Sequence, residues 1–159
     1  MTLRILLVDD HEAVRSTLRE LIEREPQITV VAEAADGVRA VELACKFTPD
    51  IVLMDTSLPS MNGIEATRQL VANKLDCRVI AISLHMDLHL VREAFNAGVS
   101  GYLLKDMAAR ELISAIRDVL AGRVALSTKI LEMLNGQYHL ALCSECAFGV
   151  ITGRDHRLP

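Results

Sequence analysis

The sequence predicts an α/β fold, a doubly wound five-stranded parallel sheet with helices on both faces, and three observations lead there. Five short apolar runs, rich in Val, Ile and Leu, alternate with five amphipathic stretches over residues 1–122. The runs are apolar almost throughout rather than at every second position, as strands covered on both faces are. Four of the five amphipathic stretches close at or near proline or glycine, the residues that stop a helix before the chain turns back.

Each element follows in order. Residues 3–8 form the first strand and run into Asp9-Asp10. Residues 13–24 carry Val14, Leu18, Leu21 and Ile22 at helical spacing and stop at Pro26. A second strand over 28–32 leads to a helix over 37–47, with Val38, Val41 and Leu43, that ends near Pro49. Strands at 51–54, 79–82 and 101–104 alternate with helices at 64–72, 88–97 and 109–120, and Gly98 and Gly122 lie just past the last two helices. There the alternation ends. Residues 123–127 read as extended and 128–134 as the start of another helix, whereas 137–159 have no clean period. The expected organisation is one domain over 1–122 and a linker or helical extension over 123–159.

Composition narrows the class. With 51% hydrophobic and 24% charged residues the chain is globular rather than disordered. Aromatics are 3% and Trp is absent, so the core must be aliphatic. A net charge of -4 argues against a large nucleic-acid footprint in these residues. No targeting segment and no run of roughly 20 apolar residues is visible, so no membrane partner is expected. Four cysteines, Cys45, Cys77, Cys143 and Cys146, form no dense framework, which makes reduced thiols in the cytoplasm the expectation. His139, Cys143, Cys146 and His156 lack the paired spacing of a structural zinc site, and the reading preferred for them is an apolar face that buries small thiols.

The chemistry lies at the strand ends, where open α/β sheets bind ligands. The first strand ends in Asp9-Asp10, the third in Asp55, the fourth in Ser83 and the fifth in Lys105. Three clustered carboxylates repel one another unless a cation sits among them, and hard oxygen ligands with room for water and phosphate suit Mg²⁺. Such a metal lets a carboxylate attack phosphorus rather than repel an anionic donor. Lys105 supplies a compact positive charge for phosphoryl oxygens and Ser83 a hydroxyl donor. His11, directly after the acidic pair, is a minor candidate beside the site.

The pattern Val8-Asp9-Asp10-His11, Asp55 followed by Leu58-Pro59 and Asn62-Gly63, Ser83, and Gly101-Tyr102-Leu103-Leu104-Lys105 resembles the receiver domain of two-component response regulators. The likeness covers roughly residues 3–122, and the stretches GYLLKD and ELISAIRDVLAG are similar to the NarL/FixJ (LuxR-type) branch. The resemblance implies a flavodoxin-like sheet of order 2-1-3-4-5. It implies that Asp55 is the phosphoacceptor, that Asp10 and Asp55 coordinate Mg²⁺ directly, that Asp9 acts through a metal-bound water, and that the Ser57 carbonyl is a further ligand. Ser83 and Lys105 would hold the phosphoryl group, and Tyr102 with Ser83 would form the switch. The implied partners are a sensor histidine kinase and, on phosphorylation, a second copy of the chain.

Some positions depart from the common pattern. Leu84 follows Ser83 where many receivers have Ala or Gly, a change expected to narrow access, and Asp106 follows Lys105 where many have Pro. Ser57 and His85 flank the site. Ile151-Thr152-Gly153-Arg154-Asp155 resembles the opening of the helix-turn-helix that NarL/FixJ members usually carry, so DNA contact is expected only through a domain beyond this chain. Two alternatives stand beside a transcriptional switch: a standalone receiver that docks to another protein, and an Asp-nucleophile phosphatase. The phosphatase chemistry favours an acid two residues past the nucleophile, where this chain has Ser57.

Overall fold

The computed structural model describes residues 1–107 and 109–137. Twelve elements follow one another: β1 (Leu3–Val8), α1 (Glu12–Glu23), β2 (Ile28–Ala34), α2 (Gly37–Phe47), β3 (Ile51–Asp55), α3 (Gly63–Ala72), β4 (Arg78–Ser83), α4 (Leu88–Ala97), β5 (Gly101–Leu104), α5 (Ala109–Leu120), β6 (Ala125–Leu126) and α6 (Thr128–Gln137). The strands form one sheet of order β2-β1-β3-β4-β5-β6, parallel at every pairing.

The expected fold class holds, with one strand added. The expected order 2-1-3-4-5 continues into β6, where Gly101 pairs with Ala125 and Tyr102 with Leu126. Residues 123–127 read as extended, but their sequence carries no sign of a partner. That partner is supplied by the free edge of β5, where Gly101 has no Cβ to hold off the Ala125 carbonyl. β2 also runs two residues further than expected, because Glu33 and Ala34 continue the ladder opposite Leu7 and Val8.

Side chains of successive strand residues point to opposite faces, and each face has its own helices. Ile5, Leu7, Ile51, Leu53, Ile80, Ile82 and Leu103 pack under α1 and α5, against Ile22, Leu112, Ile116 and Val119. Leu6, Val8, Val52, Met54, Tyr102 and Leu104 pack under α2, α3 and α4. Ile130 and Leu134 of α6 are buried in that same second layer, so the described part of segment 123–159 packs onto the sheet. Every residue of β3 is buried, which accounts for its unbroken apolar run up to Asp55.

The starts of α2, α3 and α4 are set by side-chain caps. Asp36, Asn62 and Asp87 accept from the N–H of Arg39, Glu65 and His89 at 2.8, 2.9 and 2.8 Å. Gly98 ends α4 in the left-handed region at φ 116°, where a Cβ would be strained. Gly63 has a different reason to be glycine: a Cβ there would fall on the Asp55 carbonyl oxygen. Its absence lets α3 start directly against the end of β3.

Candidate phosphoacceptor site

The parallel strands deliver their carboxyl ends to one edge of the sheet. Asp55 is the last residue of β3 and Asp9 the first after β1, and both are 2% exposed. Lys105, the residue after β5, reaches both: its Nζ lies 2.9 Å from Asp55 Oδ2 and 2.8 Å from Asp9 Oδ2, with the side chain 12% exposed. The other oxygen of each acid is held by backbone. Asp55 Oδ1 accepts from the Ser57 N–H and Asp9 Oδ1 from the His11 N–H, both at 2.9 Å.

The electrostatics follow from that geometry. Burial pushes the Asp55 carboxyl above its ordinary value of 3.8; the Lys105 and Ser57 hydrogen bonds oppose the rise and the Asp9 charge adds to it. Burial alone would lower the Lys105 pKa, but hydrogen bonds and charge from Asp9 and Asp55 hold it above 10.5. One ammonium thus faces two buried carboxylates, with the exposed Asp10 carboxylate close by. Negative charge is left in excess at the strand ends.

That excess is what a divalent cation would offset, and the donors are the hard oxygens such an ion prefers. Asp9, Asp10 and His11 each offer a ligand atom, all within 4.8 Å of one another. Asp55 lies outside that trio, and its Oδ2, like that of Asp9, is turned to Lys105. Asp10 stands at the mouth of the site, with His11 Nδ1 2.9 Å from its Oδ1.

The remaining expected residues form a second group. Ser83 is fully buried at the end of β4, and its Oγ accepts from the His85 N–H at 3.0 Å. Tyr102, fully buried on β5, donates its hydroxyl hydrogen to the His85 carbonyl at 2.9 Å. Burial raises the Tyr102 pKa, a hydrogen bond with Ser83 lowers it, and the Asp87 charge raises it. The two groups are joined through backbone, because the Lys105 N–H donates to the Ser83 carbonyl at 2.8 Å. Leu84, 74% exposed, stands out into solvent.

Other residues enter unannounced. Arg15, in the second turn of α1, reaches back to the Asp9 carbonyl; the only sequence signal was a cation among apolar positions of that helix. Asp106 pairs with Lys129 of α6 at 2.6 Å. A groove of about 310 Å³ between α1 and α5, lined by Val14, Leu18, Leu21, Met107 and Leu112, opens beside Lys105. Cys45 and Cys77 are free thiols. The candidates His139, Cys143, Cys146 and His156 lie outside the described residues, as does Ile151 to Asp155.

Residues 5–117 match the family described as the response regulator receiver domain. The chain belongs to that family. It is 39% identical over 136 residues to the transcriptional regulatory protein DegU of Brevibacillus brevis, covering 86% of this chain and 58% of that one. It is 38% identical over 130 residues to the nitrate/nitrite response regulator NarL of Escherichia coli strain K12, covering 82% and 60%. Among solved structures, a LuxR-family two-component response regulator from Aurantimonas sp. SI85-9A1 shares 44% identity at a TM-score of 0.83, over 87% of this chain and 99% of that one. This receiver is therefore of the LuxR/NarL type, and it spans about three fifths of the length of the curated relatives named. Among the described residues no helix is long and apolar enough to cross a membrane.

Proposed function

We propose that this receiver is a phosphorylation-controlled switch in which Asp55 accepts a phosphoryl group from a phosphohistidine of a sensor histidine kinase. The observation that carries the reading is the buried bridge from Lys105 to both Asp55 and Asp9. A carboxylate oxygen of Asp55 attacks phosphorus, the N–P bond of the donor breaks, and the freed imidazole keeps the electron pair and takes a proton. Lys105, already within hydrogen-bond reach of Asp55, takes the charge that arrives on the phosphoryl oxygens, and Ser83 offers its hydroxyl hydrogen to one of them. Asp10, Asp55, Asp9 through water and the Ser57 carbonyl would hold Mg²⁺, which shields the carboxylates from the anionic donor when bound.

Output is read as transcriptional. The matched relatives DegU and NarL are named as a transcriptional regulatory protein and a response regulator, and they are longer than the matched region. In this reading residues 1–122 are the phosphoacceptor unit, the segment after them conveys its state, phosphorylation promotes a homodimer, and DNA is contacted by a module outside residues 1–159. The protein works in the cytoplasm.

The test is labelling with acetyl phosphate and Mg²⁺, followed by mass spectrometry and hydroxylamine treatment. One hydroxylamine-labile phosphoryl group is expected on the wild type and none on Asp55→Asn. Equal labelling of both, or full labelling in excess EDTA, overturns the reading.

A further inference from the structure

The acidic turn between β1 and α1 is held by a group that lies outside the phosphoryl chemistry. Arg15 Nη1 donates to the Asp9 carbonyl at 2.6 Å, and Arg15 Nε donates to Glu33 Oε2 on β2 at 3.1 Å. The arginine side chain is only 15% exposed. Glu33 is fixed in turn: its other oxygen takes Arg19 Nη1 at 3.2 Å, and its backbone pairs with Leu7 in the sheet.

With Arg15 in place every polar atom of Asp9 has a partner. The N–H goes to the Ala34 carbonyl, Oδ1 to the His11 N–H, Oδ2 to Lys105, and the carbonyl to Arg15. The Asp9 carbonyl lies in the same rigid plane as the Asp10 N–H and Cα. Fixing that carbonyl therefore fixes the position of the Asp10 Cα and the N–Cα axis about which its side chain turns. Among the side-chain hydrogen bonds and ion pairs of the described residues, the Asp10 carboxylate has only the exposed His11 as partner, so its aim depends on its backbone.

We infer that Arg15 is a positioning residue: by clamping the Asp9–Asp10 peptide to Glu33 it sets the carboxylate geometry that a divalent cation meets. The assignment rests on the phosphoacceptor reading. A planar guanidinium can spend two fixed donors on a carbonyl and a carboxylate at once, whereas an ammonium cannot reproduce that fork. An exposed ion pair at the end of the same helix, Arg24 with Glu20 at 3.2 Å, has no such reach and serves as the control.

The experiment titrates the full chain with MgCl₂ by calorimetry and measures the rate of acetyl-phosphate labelling against Mg²⁺ concentration. Loss of groups that orient metal ligands typically weakens metal binding by about 10- to 100-fold. Arg15→Gln is expected to raise the Mg²⁺ Kd by about tenfold, with the labelling rate recovered at saturating Mg²⁺. Arg15→Lys, which keeps the charge and is the milder change for folding, should fail to restore the affinity, and Arg24→Gln should match the wild type. Wild-type affinity in both Arg15 variants overturns the assignment, as does a labelling defect that saturating Mg²⁺ leaves in place. A wild-type chain that neither binds Mg²⁺ nor takes up a phosphoryl group overturns the phosphoacceptor reading instead.

Discussion

Tyr102 donates its hydroxyl hydrogen to the His85 carbonyl at 2.9 Å, while Ser83 Oγ accepts the N–H of the same histidine at 3.0 Å. One exposed loop residue is thus pinned from both sides, by a strand-end hydroxyl and by a buried aromatic. Tyr102→Phe keeps the packed ring and removes one pin. A single neutral hydrogen bond is worth about 1 kcal/mol, so stability should fall by about that much. Amide hydrogen exchange should speed up across residues 84–87 and stay unchanged in β1 and β3. Unaltered exchange at His85 would show that the hydroxyl does not hold the loop.

Asp55 gives a pH prediction with a definite sign. Its carboxyl is raised above 3.8, chiefly by burial, so ionising it costs the folded state stability. The stability associated with the protonated group is fully present below 3.8 and is lost as pH rises through the raised folded value. Asp55→Asn, which cannot ionise, should therefore melt above the wild type at pH 7 in EDTA. That advantage should shrink steadily as pH is lowered toward 3.8, and Mg²⁺ should narrow it at pH 7. Melting curves at several pH values, with and without Mg²⁺, decide the point, and an advantage independent of pH would contradict it.

Gly63 is required by a close approach rather than by an unusual backbone angle. The Cβ of Gly63→Ala would meet the Asp55 carbonyl oxygen, a backbone atom that cannot swing aside, and the Gly63 N–H also donates to the Thr56 carbonyl at 3.2 Å. Overpacking against a rigid partner costs about 3 kcal/mol, the upper part of the usual range. Urea denaturation should show that loss, together with slower labelling of Asp55 because the strand end that carries it must shift. A variant as stable as wild type would mean that α3 can slide away from β3.

The sheet and its helices were legible because the strands are apolar almost throughout and four of the five helices between and after them end near proline or glycine. Asp9, Asp55, Ser83 and Lys105 were legible for a related reason: a parallel sheet places all its strand ends at one edge, so polar residues ending apolar runs must meet. What the sequence did not reveal depends on pairings with no local signature. The two residues of β6 are too few to show a period, and their partner, the edge of β5, is supplied by the fold. Arg15 has no local signature, and only the position of β2 places Glu33 beside it. The sharing of Lys105 between Asp9 and Asp55 is likewise set by the fold, a pairing that spacing cannot reveal.

The Lys105 bridge supports the last prediction. Lys105 is the ammonium that bridges Asp9 and Asp55, and Lys105→Ala leaves two buried carboxylates facing each other. Removing one partner of a buried ion pair costs about 3–5 kcal/mol. The Lys105 pKa is held above 10.5, so the lysine stays charged at neutral pH; without it the Asp55 carboxyl is pushed further up, so the loss should grow as pH rises. The same truncation in an Asp55→Asn background leaves only Asp9 without its ammonium and should cost less, a coupling that a double-mutant cycle in denaturant measures. Mg²⁺ should restore more stability to Lys105→Ala than to the wild type, because the cation then supplies the missing positive charge. Labelling of Asp55 should survive in Lys105→Ala, whereas the phosphorylation-dependent change in self-association should be lost, since the residue that joins Asp55 to β5 is gone. If sedimentation shows the same change in mutant and wild type, the strand-end lysine stabilises the site without carrying its signal.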